Sequence, residues 1–490
     1  MQVLIMKAPL QDSSFTLDVT GIAGFFGGDE AISAMASVHM YRGRQWLGWY
    51  NSPGSYTVAK KYGRLAKSRF WDGLFPGGND DPANLLDLDG KRGPRYWGLL
   101  SGTILSKTSH VGYVFAQYCR DYAPPPAQLY RKDPSRSANP MRVITAELPG
   151  IHDPTNLPVK LDTRFFEADP RLPTSISVYF IALIPIVFSI GASIVCALFE
   201  DWYAFSMIML GVICNGICCY IIGSGSFVYQ RPRPSPHSPP ADGIVFDDDQ
   251  IILLKGSEDA VNSILKAKFR LKYSSQDHND IGVASIALTI QFLLQLFLIP
   301  QGGLLGQLLF LATLIVSWLY NAYLSSMDRL RMQQQMMLRT FEPSHIPLRT
   351  FDLKNRTAGT VFIMLTALPP HILLKPRQHE HDLPMTILDD LLPNNTLVWS
   401  KWKSFVRRQL EALRANPHDL QQWQRGYPLG VEAAQLRRLF VAELADYELV
   451  DSRPDERALL ETLLKDAREG YERFLEFYDI PVLGHSPSKT

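Results

Sequence analysis

The sequence predicts an α-helical integral membrane protein: four transmembrane helices as two hairpins, with a mixed N-terminal region and a mainly helical C-terminal domain, both cytoplasmic. Three observations carry that reading. Four long apolar runs lie between Ser175 and Tyr323, in two close pairs. None of the four contains an Asp, Glu, Lys, Arg or His. Basic residues crowd the outer ends of both pairs and are missing from the two tight turns.

The first run, Ser175 to Phe199, is uncharged over about 25 residues, enough for a hydrocarbon core about 30 Å thick. Pro185 inside it kinks a helix but is tolerated in lipid. Ser189, Ser193 and Ala197 form a small-residue stripe suited to close helix packing. Glu200-Asp201-Trp202 is so short a turn that the second run, Tyr203 to Phe227, must return antiparallel beside the first. The third run is Ile281 to Leu298. Pro300-Gln301-Gly302-Gly303 breaks it, and the fourth covers Leu304 to Tyr323. Among the amides inside these runs, Asn215, Gln291, Gln295 and Gln307 are expected to hydrogen-bond between helices, each worth about 0.6–2 kcal/mol.

Orientation follows from the basic residues. Arg164 and Arg171 precede the first run, and Arg231 and Arg233 follow the second. Lys266, Lys268, Arg270 and Lys272 precede the third, and Arg329 and Arg331 follow the fourth. The positive-inside rule then puts both termini and the loop between the hairpins in the cytoplasm. Trp202 and Tyr203 mark one interface, and Trp318, Tyr320 and Tyr323 the other. The sequons at Asn355 and Asn394 face the cytosol on this reading and stay unglycosylated.

Composition adds exclusions. The chain of 490 residues has room for two to four domains. Lys and Arg number 49 against 48 Asp and Glu, so no bulk attraction to nucleic acid is expected. Mean hydropathy near zero conceals the concentration of apolar residues in the middle third. Cys196, Cys214, Cys218 and Cys219 lie in apolar runs, and only Cys119 lies outside, a pattern of buried thiols and not of a disulfide framework or zinc site. Met1 to Leu10 lacks the apolar core of a signal peptide, so the first transmembrane helix is the expected address. No lipidation box is found at either end.

Outside the hairpins (175–227 and 281–325) four segments remain. Residues 1–126 are polar and rich in Gly, Trp and Tyr. Ala31 to Tyr41 reads as one short helix. Gly98 to Tyr118 is the most apolar stretch there, but Lys107 and His110 interrupt it. A central lysine costs about 3 kcal/mol on insertion, so a buried or surface-lying segment is expected. Asp87, Asp89 and Gly90 hint at a calcium loop that fails, because Leu85 and Tyr96 stand where its end ligands belong. Residues 127–174 carry recurrent prolines and read as an extended linker, with short strands at Arg142 to Leu148 and Val159 to Phe166.

Residues 228–280 divide in two. Arg231 to Pro240 (RPRPSPHSPP) is a basic polyproline run, read as a spacer or as a ligand for an SH3-like groove. Two strands follow, Gly243 to Phe246 and Ile251 to Leu254, then a helix capped by Ser257 with Val261, Ile264, Leu265 and Phe269 on one face. Lys266, Lys268, Arg270 and Lys272 cluster at its end. Either this helix lies on the inner leaflet with those residues on lipid headgroups, or a small ββα unit packs on the C-terminal domain.

In residues 326–490 the fourth span is expected to continue as helix through Met327, Arg331 and Met337. Thr360 to Leu368 (TVFIMLTAL) is too short to span and reads as a buried strand or re-entrant piece. His379-Glu380-His381-Asp382 has metal-ligating side chains, but four adjacent ligands cannot surround an ion unaided. Three helical stripes follow: Trp399, Trp402, Val406, Leu410 and Leu413; Leu436, Leu439 and Phe440; Leu459, Leu463, Tyr471, Phe474 and Leu475. They read as the core of a helical domain, with a partner-binding groove as the alternative. The run Leu391 to Phe405 (LLPNNTLVWSKWKSF), coming after the apolar TVFIML, resembles multipass proteins of basidiomycete fungi. The resemblance covers about the C-terminal half. It implies membrane residence and brings no functional residues with it.

No Walker loop, dinucleotide fingerprint, nucleophile elbow or zinc-protease motif is present, and no catalytic residue, cofactor or metal site is expected. The first expectation is a non-enzymatic scaffold, anchor or regulator with the bilayer as its partner. Protein partners are expected through Arg231 to Pro240 and the C-terminal helices, and a homo-oligomer is compatible. The second is an oligomeric pore or passive carrier lined by Asn215, Gln291, Gln295 and Gln307. The third is a membrane enzyme acting on lipid, with Glu200 and Asp201 as the carboxylates beside a span.

Overall fold

A computed structural model describes residues 26–77, 81–126, 139–151, 165–173, 176–247, 250–273, 278–342, 344–368, 383–415, 438–441 and 454–478. In chain order these contain α1 (Gly28–Ala36), α2 (Ser55–Gly63), α3 (Arg69–Leu74), α4 (Pro82–Leu85), β1 (Arg95–Gly98), β2 (Ile104–Leu105) and α5 (His110–Tyr122). Then come β3 (Met141–Glu147), β4 (Gly150–Ile151), β5 (Phe165–Ala168), α6 (Ile176–Leu198) and α7 (Trp202–Gly223). The next stretch holds β6 (Ser226–Pro232), β7 (Gly243–Asp247), β8 (Gln250–Lys255), α8 (Glu258–Leu265) and β9 (Lys268–Lys272). The remainder is α9 (Asn279–Leu298), α10 (Leu304–Ser325), α11 (Arg329–Leu338), β10 (Phe341–Glu342), β11 (Leu348–Leu353), α12 (Arg356–Ala367), α13 (Leu383–Leu391), α14 (Leu397–Ala415) and α15 (Pro454–Phe477).

Helices α6, α7, α9 and α10 are each long and apolar enough to cross a membrane. Their outward faces carry large exposed apolar side chains: Phe180, Val187, Leu198, Val283 and Phe297 are all at least 60 % exposed. Large apolar side chains exposed on helices of that length fit a lipid environment. The distal turns of the two helix pairs are clamped together by Asp201. Its Oδ1 accepts from Ala204 N at 3.1 Å and its Oδ2 from Gly303 N at 2.9 Å.

The rest of the described chain forms an α/β body on a six-stranded sheet of order β11-β3-β8-β7-β1-β2. β3 and β8 pair in parallel and every other neighbour is antiparallel. Strand pleating sends alternate side chains to opposite faces. Val143, Ile244, Leu253 and Phe351 face α12 to α15, where Phe362, Trp402, Leu463 and Phe474 complete one core. Ile144, Val245, Ile252 and Tyr96 face the other way, onto Val114 and Phe115 of α5, Ile264 of α8 and Met336 of α11. That second core continues without a break into Cys218 and Ile222 of α7 and Ile281 and Leu288 of α9, so the body and the long helices share packing. A three-stranded sheet, β5-β6-β9, strengthens the junction: β6 leaves α7 almost at once and pairs antiparallel with β9, which leads toward α9.

Several expectations change. The sheet draws β1 and β2 from residues 1–126, β3 from 127–174, β7 and β8 from 228–280 and β11 from 326–490. The expected linker therefore supplies a central strand, and the expected ββα unit is part of the larger sheet. Arg231 and Pro232 belong to β6 and pair with Phe166 and Phe165, so the polyproline run begins inside a strand. Helix α8 is buried along Ala260 to Leu265 and cannot lie on a leaflet. Lys268, Arg270 and Lys272 sit on the exposed face of strand β9, not at a helix end, because Phe269 and Leu271 take the inward positions. Thr360 to Ala367 is helix and not strand: it lies within α12, buried on all sides, and Leu368 caps it. The helix after the fourth run stops at Ser325 and restarts at Arg329, capped by Asp328, whose carboxylate accepts from Arg331 N. Leu459 is 41 % exposed, outside the stripe assigned to it. The His379–Asp382 cluster, Arg164 and Leu436 lie outside the described residues.

Candidate functional site

Between α1 and α2 the chain enters the four-helix bundle as an irregular loop. A 3-10 turn at Arg44–Trp46 begins it, and Gly54, at φ 72, turns it into α2. Unpaired backbone at such a place is tolerated only where protein surrounds it. Here all four long helices do so. α1 packs along α10 and α2 along α9.

The tip is Asn51, fully buried. Its backbone N–H donates to Ser189 Oγ of α6 at 3.2 Å. Its Nδ2 donates to Thr313 Oγ1 of α10 at 2.9 Å. Its Oδ1 accepts from Gln295 Nε2 of α9 at 3.4 Å. Gly211 of α7 faces the same amide so closely that a Cβ there would collide with it, and Gly216 makes room for the Trp49 ring in the same way. Thr313 lies nine residues into α10 and Gly211 nine into α7. At about 1.5 Å per residue that is about 14 Å, close to half of a hydrocarbon core.

A second layer lies nearer the body. Gly48 O accepts from Asn215 Nδ2 at 2.7 Å. Tyr50 OH donates to Asn321 Oδ1 at 2.8 Å, and Asn321 Nδ2 donates to Ser52 Oγ at 3.2 Å. Arg44, 2 % exposed, donates from its NH1 to Tyr320 OH at 2.6 Å and stacks over that ring at 5.3 Å. Beside it, burial and the nearby charge of Arg171 push the His39 imidazole down to about 3, so it is neutral at physiological pH.

The four amides singled out from the sequence are thus dispersed. Asn215 and Gln295 serve the inserted loop, and Gln295 Nε2 also donates to Met207 O of α7 at 3.2 Å. Gln291 reaches only Gln295 on its own helix, at 3.4 Å. Gln307 closes the turn ahead of its own helix through Gly302 O at 3.0 Å. Lys266, Lys268, Arg270 and Lys272 are far from this centre in the fold, on and beside β9, and Lys272 pairs with Glu167. Arg44, Asn51, Thr313 and Asn321 were not anticipated. One signal for them exists: Gln45 to Ala59 contains no charged residue.

What the layer at Asn51 offers chemically is hydrogen bonding between amides, hydroxyls and backbone groups. Among the described residues no three His, Cys, Asp or Glu side chains come together to hold a metal, and all five cysteines are free thiols. In the body, burial raises Asp89 and lowers His110. Both are engaged structurally, Asp89 by Phe269 N at 2.9 Å and His110 by Gln333 at 3.2 Å. An open cleft of about 390 Å³ lies between α13 and α14, bordered by Met385, Asn395, Ser400 and the Lys403–Asp389 ion pair at 2.8 Å. Compared with known proteins, the chain has no match: no family model, no curated protein and no solved structure is similar to it.

Proposed function

We propose that the protein is a multipass integral membrane protein acting as a non-enzymatic scaffold or anchor, with its α/β body and both termini on the cytoplasmic face. One observation carries the reading: Asn51 fills the middle of the bundle and engages all four long helices. Asn51, Asn215 and Gln295 are turned onto the protein's own chain, which supports the bundle as a mount for the body. The lipid-enzyme reading is weakened by Asp201, whose two oxygens are held by backbone N–H groups.

The rival is a pore, and it rests on polar atoms of the bundle without a partner among the described residues: Gln291 Oε1, Gln307 Oε1 and Ser317 Oγ. Potassium and dye flux through the purified full chain in liposomes separates the two. Wild type and the double variant Gln291→Leu, Gln295→Leu should both match protein-free liposomes. Flux in the wild type that disappears in the variant would install the pore reading. Orientation is tested at Asn394, where a glycosidase-sensitive gel shift lost in Asn394→Gln would invert it.

A further inference from the structure

Helix α2 leaves the bundle centre along α9 and delivers the chain to the body-side end of that helix. There the sequence reads Lys60, Lys61, Arg64, Lys67 and Arg69, five cations in ten residues, with Asp72 the one acid before Pro76. Lys60, Lys67 and Arg69 are exposed and Lys61 and Arg64 half-buried. None of the five has an ion-pair partner among the described residues. Arg64 Nε donates only to Pro76 O, at 3.2 Å, which folds the segment back on itself.

The short helix α3 follows, and its two faces differ. Trp71 turns inward: its Nε1 donates to Asn279 Oδ1 at 2.9 Å and its ring covers Gly282. Ala66, Trp71 and Phe75 pack together against Ile286. Phe70 and Leu74, one turn apart, point away from the protein at 63 % and 49 % exposure. Gly282 and Ile286 lie three and seven residues into α9, about 5 to 10 Å from its body-side end. That equals the depth, about 5–10 Å, at which amphipathic interfacial helices bury their apolar face. Val283, next to Gly282 on α9, is also 60 % exposed.

We infer that residues 60–76 form a docking surface for anionic phospholipid, with Phe70 and Leu74 in the acyl boundary of the body-side leaflet and the five cations on its headgroups. The inference rests on the membrane reading above. It moves lipid recognition away from Lys266, Lys268, Arg270 and Lys272, whose strand sends its apolar residues inward and whose Lys272 is paired. An acidic peptide would satisfy the cations but not the depth of Phe70 and Leu74.

The test uses the full chain in nanodiscs, with an environment-sensitive fluorophore on Leu74→Cys and the unsubstituted chain as the labelling control. Brominated phosphatidylserine should quench it more than brominated phosphatidylcholine at equal mole fraction. The preference should fall about fivefold for each of Lys67→Gln and Arg69→Gln, the factor equivalent to about 1 kcal/mol per headgroup contact. In the parent it should vanish at high salt. Equal quenching by both lipids would overturn the inference. So would a water-exposed probe that responds only to added polyglutamate, which would mark a protein-docking surface. A chain that fails to float even with phosphatidylcholine liposomes would sink the membrane reading instead.

Discussion

The interior of the bundle and the interior of the body are held by different forces. Around Asn51 the contacts are directional: amides, hydroxyls and backbone groups meet in one arrangement, and glycines at 211 and 216 leave the space for it. Around Trp402 the contacts are apolar, and its indole N–H needs one acceptor, Leu463 O at 2.8 Å. In lipid, apolar packing gives helices no solvent-driven reason to associate, so hydrogen bonds and close backbone approach must define the assembly. In the body, removal of apolar area from water supplies the drive, and shape refines it.

Substitutions should separate the two. Trp402→Ala opens a cavity in the body, a loss of about 3–5 kcal/mol. Thermal unfolding in detergent should show a fall of many degrees, and a shift of only a degree or two would mean the helical layer is not cooperative with the sheet. Asn51→Leu removes the two side-chain bonds, to Thr313 and Gln295, but keeps volume and the backbone bond to Ser189, at a cost of about 1–3 kcal/mol. The sharper readout is local: protease accessibility of the Arg44 to Tyr56 loop should rise, while the body stays protected. If both regions open together, the distinction collapses. Asp201→Ala unclamps the distal turns for about 1 kcal/mol, seen as faster exchange of the Ala204 and Gly303 amides.

The smallest effect at neutral pH belongs to His39. Its folded pKa of about 3 lies below the ordinary 6.5, so the unfolded chain binds the extra proton. Stability from this group is complete above about pH 6.5 and is lost as pH falls toward 3. A melting-temperature profile over that window should flatten in His39→Gln, and an unchanged slope would assign the acid sensitivity elsewhere.

The long helices were legible because an uncharged stretch of that length has no other common use. The stripes through Trp402, Val406 and Leu410 were legible because one face is buried and the period shows. The α12 segment was ambiguous for the opposite reason: buried on every side, TVFIMLTAL has no period to read. The sheet was hidden by distance. Val143 pairs with Ile251 and Phe351 across long apolar insertions, and nothing local announces such partners. The inserted loop was hidden by composition. Trp49, Tyr50, Asn51 and Ser52 are too polar for a hydropathy window, and the last three are buried in other protein.

The sheet also sets a timetable. β3 emerges from the ribosome early, but β8 becomes available only after one helix pair has been made, and β11 only after both. Asn51 is made before every helix that later surrounds it. β3 must therefore wait for β8 and then for β11 before both of its flanks are covered. A nascent chain halted before residue 348 should carry β3 with one flank open, a state that invites chaperones.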